Sequence, residues 1–244
     1  MSESFPYLKE HQRVVFPPAD QADPNGLVAV GGNLSPGVLL SAYTQGVFPW
    51  YSEDEPLLWW SPDPRFVLFP RELHVPKSLR RVLNKNRFRF TLDHAFEEVI
   101  TACSVAPRRG QGGTWITDDM ITGYHRLHAL GYAHSLEVWD GEKLAGGLYG
   151  VSLGGMFFGE SMFARVSDAS KAGFVTLVRV LEERGFDCID CQMYTSHLDR
   201  FGARDFPRSA FLELLGRSLE RATVKGNWQD TIGRHELLSE SGDH

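Results

Sequence analysis

Two short strand patterns joined by one long helical pattern, all within residues 156–192, restrict the fold of this chain more than any other feature. Met156-Phe157-Phe158-Gly159-Glu160-Ser161-Met162-Phe163 reads as the first strand. Ser167 or Asp168 can cap a helix whose Phe174, Leu177, Val178 and Leu181 recur at i, i+3, i+4 and i+7, and Gly185 marks its stop. Phe186-Asp187-Cys188-Ile189-Asp190-Cys191-Gln192 reads as a second strand. A helical crossover suits parallel strands, so the two are expected to pair in parallel.

Both strands carry acids where apolar residues belong. Alternation puts Asp190 and Gln192 on one face of the second strand and Ile189 and Cys191 on the other. On the first strand Glu160 shares its parity with Met156, Phe158 and Met162. An unpaired buried carboxylate costs several kcal/mol, roughly, so something must compensate Asp190. A substrate amine or guanidinium is one candidate; a structural bond to a neighbouring loop is the other. A carboxylate in an apolar wall is also what a pocket for a cationic group needs.

Upstream, His134 to Trp139 and Leu144 to Val151 read as strands joined at Asp140-Gly141, a strong hairpin signal. With the strand from Met156 they give three antiparallel strands, then a helix and a fourth strand. The expected fold class is α+β with a mixed, mainly antiparallel sheet. Before that, Leu27 to Val30 reads as a strand, and Ser35-Pro36 opens a helix with Leu39, Leu40 and Tyr43 on one apolar side. Phe66 to Phe69 and Phe88 to Leu92 read as strands. Asp93 is placed to cap a helix with Phe96, Val99, Ile100 and Cys103 inward, and Thr117 to cap one with Met120, Tyr124 and Leu127 inward. Residues 1–24 read as an extended Pro-rich arm, and the polar tail from about 224 as mobile. The division expected is a small domain over 1–67 and a larger one over 68–244.

The 244 residues carry three cysteines, Cys103, Cys188 and Cys191, which argues against a disulfide framework and for a reducing compartment. Cys188 and Cys191 have C-x-x-C spacing, but an offset of three inside a strand puts the thiols on opposite faces, and no second pair has ligand spacing; no metal is expected. The first residues lack the basic and apolar regions of a secretory signal, and no apolar run is long enough to span a bilayer. The expectation is a cytoplasmic protein with no membrane partner.

Net charge is −6, yet Lys77, Arg80, Arg81, Lys85, Arg87 and Arg89 crowd a segment without acids. Such a patch can seat one local phosphate backbone; otherwise it is a solvated face. Val47 to Arg65 alternates prolines with aromatics, among them Trp50, Trp59 and Trp60, which can stack on nucleobases or form a small core.

Seven motifs in one order, spanning about residues 24 to 208, resemble the bacterial leucyl/phenylalanyl-tRNA–protein transferases. They are Pro24-Asn25-Gly26-Leu27, Gly46-Val47-Phe48-Pro49-Trp50, Trp59-Trp60-Ser61-Pro62-Asp63-Pro64-Arg65, Gly113-Thr114-Trp115-Ile116, Phe158-Gly159-Glu160-Ser161-Met162-Phe163, Ala169-Ser170-Lys171 and Ile189-Asp190-Cys191-Gln192. The resemblance implies a small N-terminal α/β domain followed by a GNAT-like domain. It implies transfer of Leu, Phe and less well Met from aminoacyl-tRNA to the N-terminal amine of proteins starting with Arg or Lys, making a degradation signal. It assigns Asp190 and Gln192 to catalysis, and Glu160 with Asp190 to the acceptor peptide. Trp50 and Trp115 are expected at the tRNA 3′ adenosine, although Trp115 can equally be core. Leu148, Met162, Phe174, Leu177 and Ile189 are expected to form the amino-acid pocket, positions an ordinary core would also use. The basic segment is expected on the tRNA backbone.

No cofactor is expected. Acyl-CoA members of the GNAT fold hold the pyrophosphate with a Gly-rich loop at the helix start, and Phe163 to Asp168 has no glycine. Two other readings stay open: a tRNA-dependent transferase acting on cell-wall peptides, and a non-catalytic adaptor for basic N-termini, which would leave the basic segment unexplained.

Overall fold

The computed structural model describes residues 5–106 and 116–231. Residues 5–18 run mostly extended along the first helix, α1 (Pro36–Thr44), bound through their backbone, and the arm expected to be extended to residue 24 instead forms a short 3-10 helix at Ala19–Gln21. The Leu8 and Val14 amides donate to Ser35 Oγ and Ser41 Oγ, and the Phe16 amide donates to Gln45 Oε1. Ser35 holds the N-cap position with Pro36 next, as read, but its hydroxyl serves the arm and makes no capping bond. The arm is why α1 is buried from Pro36 to Tyr43 and not on one side alone. A small sheet, ordered β1-β3-β2, holds β1 (Leu27–Val30), β2 (Phe48–Pro49) and β3 (Leu58–Trp60).

The main sheet has seven strands. In chain order they and their helices are β4 (Arg65–Leu68), α2 (Lys77–Asn84), β5 (Arg89–Leu92), α3 (Phe96–Ser104), α4 (Asp118–Ala129), β6 (Ala133–Asp140), β7 (Lys143–Leu153), β8 (Met156–Ala164), α5 (Ala169–Glu183), β9 (Cys188–Gln192), α6 (Ser196–Asp199), β10 (Arg204–Phe206), α7 (Arg208–Ser218) and α8 (Trp228–Thr231). The spatial order is β10-β4-β9-β8-β7-β6-β5. Every pair is antiparallel except β8 with β9, which the α5 crossover makes parallel. The mixed, mainly antiparallel sheet expected from the sequence is present, with β6-β7-β8-α5-β9 in the order expected of a GNAT-like domain. β4 spans the division placed at 67–68 and lies wholly within this sheet, between β10 and β9.

One face of the sheet packs on α5 and α2, through Phe157, Leu148 and Ile189 against Phe174, Leu177 and Leu79. The other packs on α1, α3 and α4, through Phe158, Tyr149 and Val151 against Tyr43, Ile100 and Tyr124. The N-terminal segment and the large sheet thus share one core. Cys188 and Cys191 belong to opposite faces, as alternation requires.

Two readings are corrected. Asp93 does not cap α3; the residue before that helix is Ala95, with no side-chain cap. Asp93, at φ +54, accepts instead from His134 Nδ1 at 2.8 Å and from the Ser135 and Trp228 amides. The α3 N-terminus meets another acid, since the His94 and Ala95 amides donate to buried Glu137. Nor is the chain beyond 224 a loose tail in its described part. Trp228 is fully buried, its ring stacked on His134 at 3.9 Å, because a large indole outweighs the polar residues around it.

Candidate active site

β8 and β9 open a gap in the middle of the sheet. Among the described residues their ladder runs from Met156 and Cys188 to Phe158 and Asp190 and ends there. β8 then bulges. Tyr149 pairs with Ser161 and Gly150 with Gly159, which leaves Glu160 as the extra residue. A bulge re-aims the side chains around it. Met162 therefore joins Phe157 on the α5 face, while Met156 and Phe158 stay on the other. The shared parity read for Glu160, Met156, Phe158 and Met162 is corrected by that one inserted residue.

β9 ends in a second irregularity. Gln192 sits at φ +65, in the left-handed region, so strict alternation with Asp190 fails at that residue. Its backbone N–H donates to Asp190 Oδ1 at 2.9 Å, and its side-chain Nε2 donates across the gap to Glu160 Oε1 at 2.8 Å.

Asp190 is completely buried, and its partner belongs to the protein. Arg65 Nε donates to Oδ1 at 2.8 Å and Arg65 NH2 to Oδ2 at 2.6 Å, a two-pronged pair with both side chains at 0% exposure. The guanidinium lies between the rings of Phe48 and Phe211, 4.7 and 4.6 Å from their centres, and donates to the Gly46 carbonyl. Compensation of Asp190 by a substrate cation is thus overturned: β4 lies beside β9 and brings an arginine to it. Glu160 and Asp190 do not flank one cleft. Glu160 faces the cavity beside Gln192, and Asp190 lies behind the wall.

Glu160 is 8% exposed. Tyr43 Oη donates to its Oε1 at 2.7 Å and Tyr124 Oη to its Oε2 at 2.8 Å, while the two phenol oxygens stand 2.5 Å apart. Burial pushes the carboxyl up to about 7, helped by the Asp190 charge and opposed by the hydrogen bonds from Tyr43, Tyr124 and Gln192. Burial, with the Glu160 charge second, holds both phenols far above their ordinary range.

The cavity beside them is about 360 Å³, within the roughly 300–1,000 Å³ of small-molecule sites. Leu148, Met162, Phe174, Leu177 and Ile189 line it together with Phe157, and Trp50 stands at its wall, edge-on to Trp60 at 5.9 Å. Trp115, with Arg108 and Arg109, lies outside the described residues. Lys77, Arg80 and Arg81 lie exposed on α2, with Lys85 just past its end. Arg87 and Arg89 are exposed near β5, but Arg87 pairs with Asp140 at 2.6 Å and Arg89 lies over the Trp139 ring. Among the described residues no cluster of three or more His, Cys, Asp or Glu is placed to hold a metal ion, and no helix is long and apolar enough to cross a membrane.

Arg65, Tyr43, Tyr124 and Phe157 are site residues that reading the sequence missed. The signal for the tyrosines was present: both sit on faces read as buried, and a buried phenol needs a partner.

A family model described as leucyl/phenylalanyl-tRNA protein transferase matches residues 67–216, and the model of that family's N-terminal domain matches residues 32–63. The chain belongs to the leucyl/phenylalanyl-tRNA protein transferase family. Curated relatives named leucyl/phenylalanyl-tRNA--protein transferase agree. The chain is 58% identical to one from Anaeromyxobacter sp. (strain Fw109-5), covering 91% of this chain and 94% of the relative. It is 57% identical to one from Syntrophus aciditrophicus (strain SB), covering 92% and 96%, and 56% identical to one from Stutzerimonas stutzeri (strain A1501), covering 88% and 95%. The structure of L-PGS from Bacillus licheniformis is similar at a TM-score of 0.39 and 11% identity, covering 68% of this chain and 58% of that one. As a family member this transferase is an enzyme, an aminoacyltransferase.

Proposed function

We propose that this transferase moves Leu, Phe and less well Met from aminoacyl-tRNA to the N-terminal amine of proteins that begin with Arg or Lys, and that the product carries a degradation signal. One observation carries the reading: an apolar cavity lies against a carboxylate and an amide that bridge the gap between β8 and β9. The amino acid's side chain goes into the apolar part, among Leu148, Met162, Phe174, Leu177 and Ile189. Methionine and leucine walls suit linear or γ-branched guests, and one missing methylene alone is worth only about 1–3 kcal/mol, so shape must also exclude β-branched residues. Trp50 and Trp115 take the terminal adenosine, and the basic segment takes backbone phosphates.

The reaction is aminolysis of an activated ester. The enzyme's task is to align the amine with the carbonyl and to manage protons. Gln192 positions the amine; a neutral amide hardly accepts a proton. Asp190 acts on the chemistry through Gln192, whose backbone N–H it holds, with Arg65 fixing the carboxylate in turn. Glu160 faces the cationic acceptor.

Labelled leucyl-tRNA incubated with an Arg-started peptide tests the reading. Formation of Leu-Arg peptide, with an Ala-started peptide much poorer, is the expected result. Peptide binding without transfer would leave an adaptor, and transfer with no preference for a basic first residue would remove the acceptor assignment.

A further inference from the structure

We propose that Glu160, closed into a ring with Tyr43 and Tyr124, is the group that takes the proton from the acceptor's amine; the inference rests on the transfer reaction proposed above. Three oxygen–oxygen contacts join these side chains: 2.5 Å between the phenols, 2.7 Å from Tyr43 to Glu160 Oε1 and 2.8 Å from Tyr124 to Glu160 Oε2. All three have hydrogen-bond length, and each such bond holds one proton. The phenols supply two. When Glu160 is ionised both phenols donate to it, and the contact between the phenols holds none. A third proton on Oε2 completes the ring: Glu160 donates to Tyr124, Tyr124 to Tyr43, and Tyr43 to Oε1. The change requires one hydroxyl to turn. The ring can run in the opposite sense, so a proton arriving on Oε1 is accommodated as well. Gln192 donates to Oε1 in either state.

The site is therefore built to hold two protons or three. The alternative carboxylate, Asp190, is engaged on both oxygens by Arg65 and lies behind the cavity wall. Among the described residues the charged and titratable groups around Glu160 are Tyr43 from α1, Tyr124 from α4, Tyr149 from β7 behind Tyr124, and the Asp190–Arg65 pair from β9 and β4, while Cys191 of β9 and His197 of α6 line the same cavity. Burial and the Asp190 charge oppose ionisation, and the phenols and Gln192 stabilise the charged form.

The step balances. The ammonium gives one proton to Glu160, and the freed lone pair bonds to the ester carbonyl carbon. As the bond from that carbon to the ribose oxygen breaks, the oxygen takes one of the two protons left on nitrogen. The products are an amide N–H, a ribose hydroxyl and protonated Glu160, which then releases its proton to water. Glu160 is the catalytic residue, and Tyr43 and Tyr124 are positioning residues that act through it.

The experiment is turnover of labelled leucyl-tRNA with saturating Arg-started peptide, in single-turnover mode, between pH 6 and 9. Wild-type turnover should fall below about pH 7. In Glu160→Gln the limb should move to the amine's own pKa, near 8, which makes the variant about eightfold slower than wild type at pH 6.5. By pH 9, where the amine is already free, it should come within a few-fold of wild type. Tyr43→Phe and Tyr124→Phe each remove a donor to the charged form, so their limbs should move upward while thermal unfolding shows a folded protein. A Glu160→Gln deficit equal at every pH, or confined to KM, overturns the proposal, as does a limb that stays in place in both folded tyrosine variants. Absence of transfer by the wild type itself would instead overturn the function proposed above.

Discussion

Arg65 and Asp190 form a pair that neither residue could leave alone. Both are fully buried, and taking one charge away strands the other in a low-dielectric wall. Asp190→Asn, although almost isosteric, should therefore lower stability by about 3–5 kcal/mol, the range for breaking a buried pair. Arg65→Met combined with Asp190→Leu should recover much of it. Thermal melts of the two variants check this, and an Asp190→Asn variant as stable as wild type would mean that water reaches the pair. Any loss of turnover in Asp190→Asn must be read beside its melt. Glu160 makes a different claim on stability. Its carboxyl is raised from 4.5 to about 7 in the folded protein, so between those values the folded state binds more protons than the unfolded one. Unfolding free energy from this group is full below about pH 4.5 and declines as pH rises to 7. The stability of wild type relative to Glu160→Gln should decline over that window and level off above it. A difference flat from pH 4 to 8 would show that the carboxyl titrates at its ordinary value.

At the scale of elements, regular pieces were legible in the sequence and irregular ones were not. β1 runs over the residues read for it, and Thr117 caps α4 by accepting from the Met120 amide. Periodicity and capping are local, so local sequence carries them. The site depends on departures from period. The bulge at Glu160 moves Met162 to the other face, and the left-handed Gln192 turns its side chain into the gap. Neither shows in a pattern of alternating residues. Arg65 closes the Trp59–Arg65 motif, but its partner lies 125 residues away, a pairing that only the β4–β9 register establishes. The five pocket positions follow from the family resemblance; helix spacing alone puts Phe174 and Leu177 on one face, and strand parity would have put Met162 on the other. Phe157, on the α5 face, was passed over because β8 was read with Glu160's parity. Trp228 shows the same limit at the other end: a polar context concealed an anchor. Trp228→Ala removes a buried indole that rests on His134 and should cost about 3–5 kcal/mol, the usual range for a buried tryptophan. It should also loosen Asp93, which accepts the Trp228 amide. Denaturant unfolding measures the first effect, and amide exchange at Ser135 the second. Unchanged exchange there would separate the Asp93 cluster from the C-terminal segment.

Across the whole molecule the acidic and basic groups proposed to act on substrate stand apart. The carboxyl of Glu160 sits in the gap between β8 and β9, and the basic residues sit on α2 and beside the edge strand β5. Three strand spacings separate β8 from β5, about 14 Å at 4.7–4.9 Å each. A stacked single strand advances about 3.4 Å per nucleotide, so roughly four nucleotides cover that lateral distance. A donor whose unpaired 3′ end enters the cavity can thus lay its duplex on the basic end of the sheet. The six basic residues are not equivalent there. Arg87 already answers Asp140, and Arg89 is spread over Trp139, whereas Lys77, Arg81 and Lys85 make no ion pair among the described residues. Arg80 spends Nε on the Val75 carbonyl, which fixes its stem and leaves its other nitrogens outward. Changing Arg80 and Arg81 together to Gln should therefore flatten the dependence of log affinity on log salt by about 0.9 for each duplex phosphate lost. Arg87→Gln should flatten it far less. The loss should be the same for tRNAs of different sequence, because backbone contacts position without reading bases. Transfer from a short aminoacyl-adenosine donor, which has no duplex, should proceed at the wild-type rate in the double variant. Filter binding between 50 and 200 mM salt gives the slopes. An unchanged slope in the double variant would remove α2 from the tRNA interface, and an equal effect of Arg87→Gln would show that Asp140 yields its partner when the nucleic acid arrives.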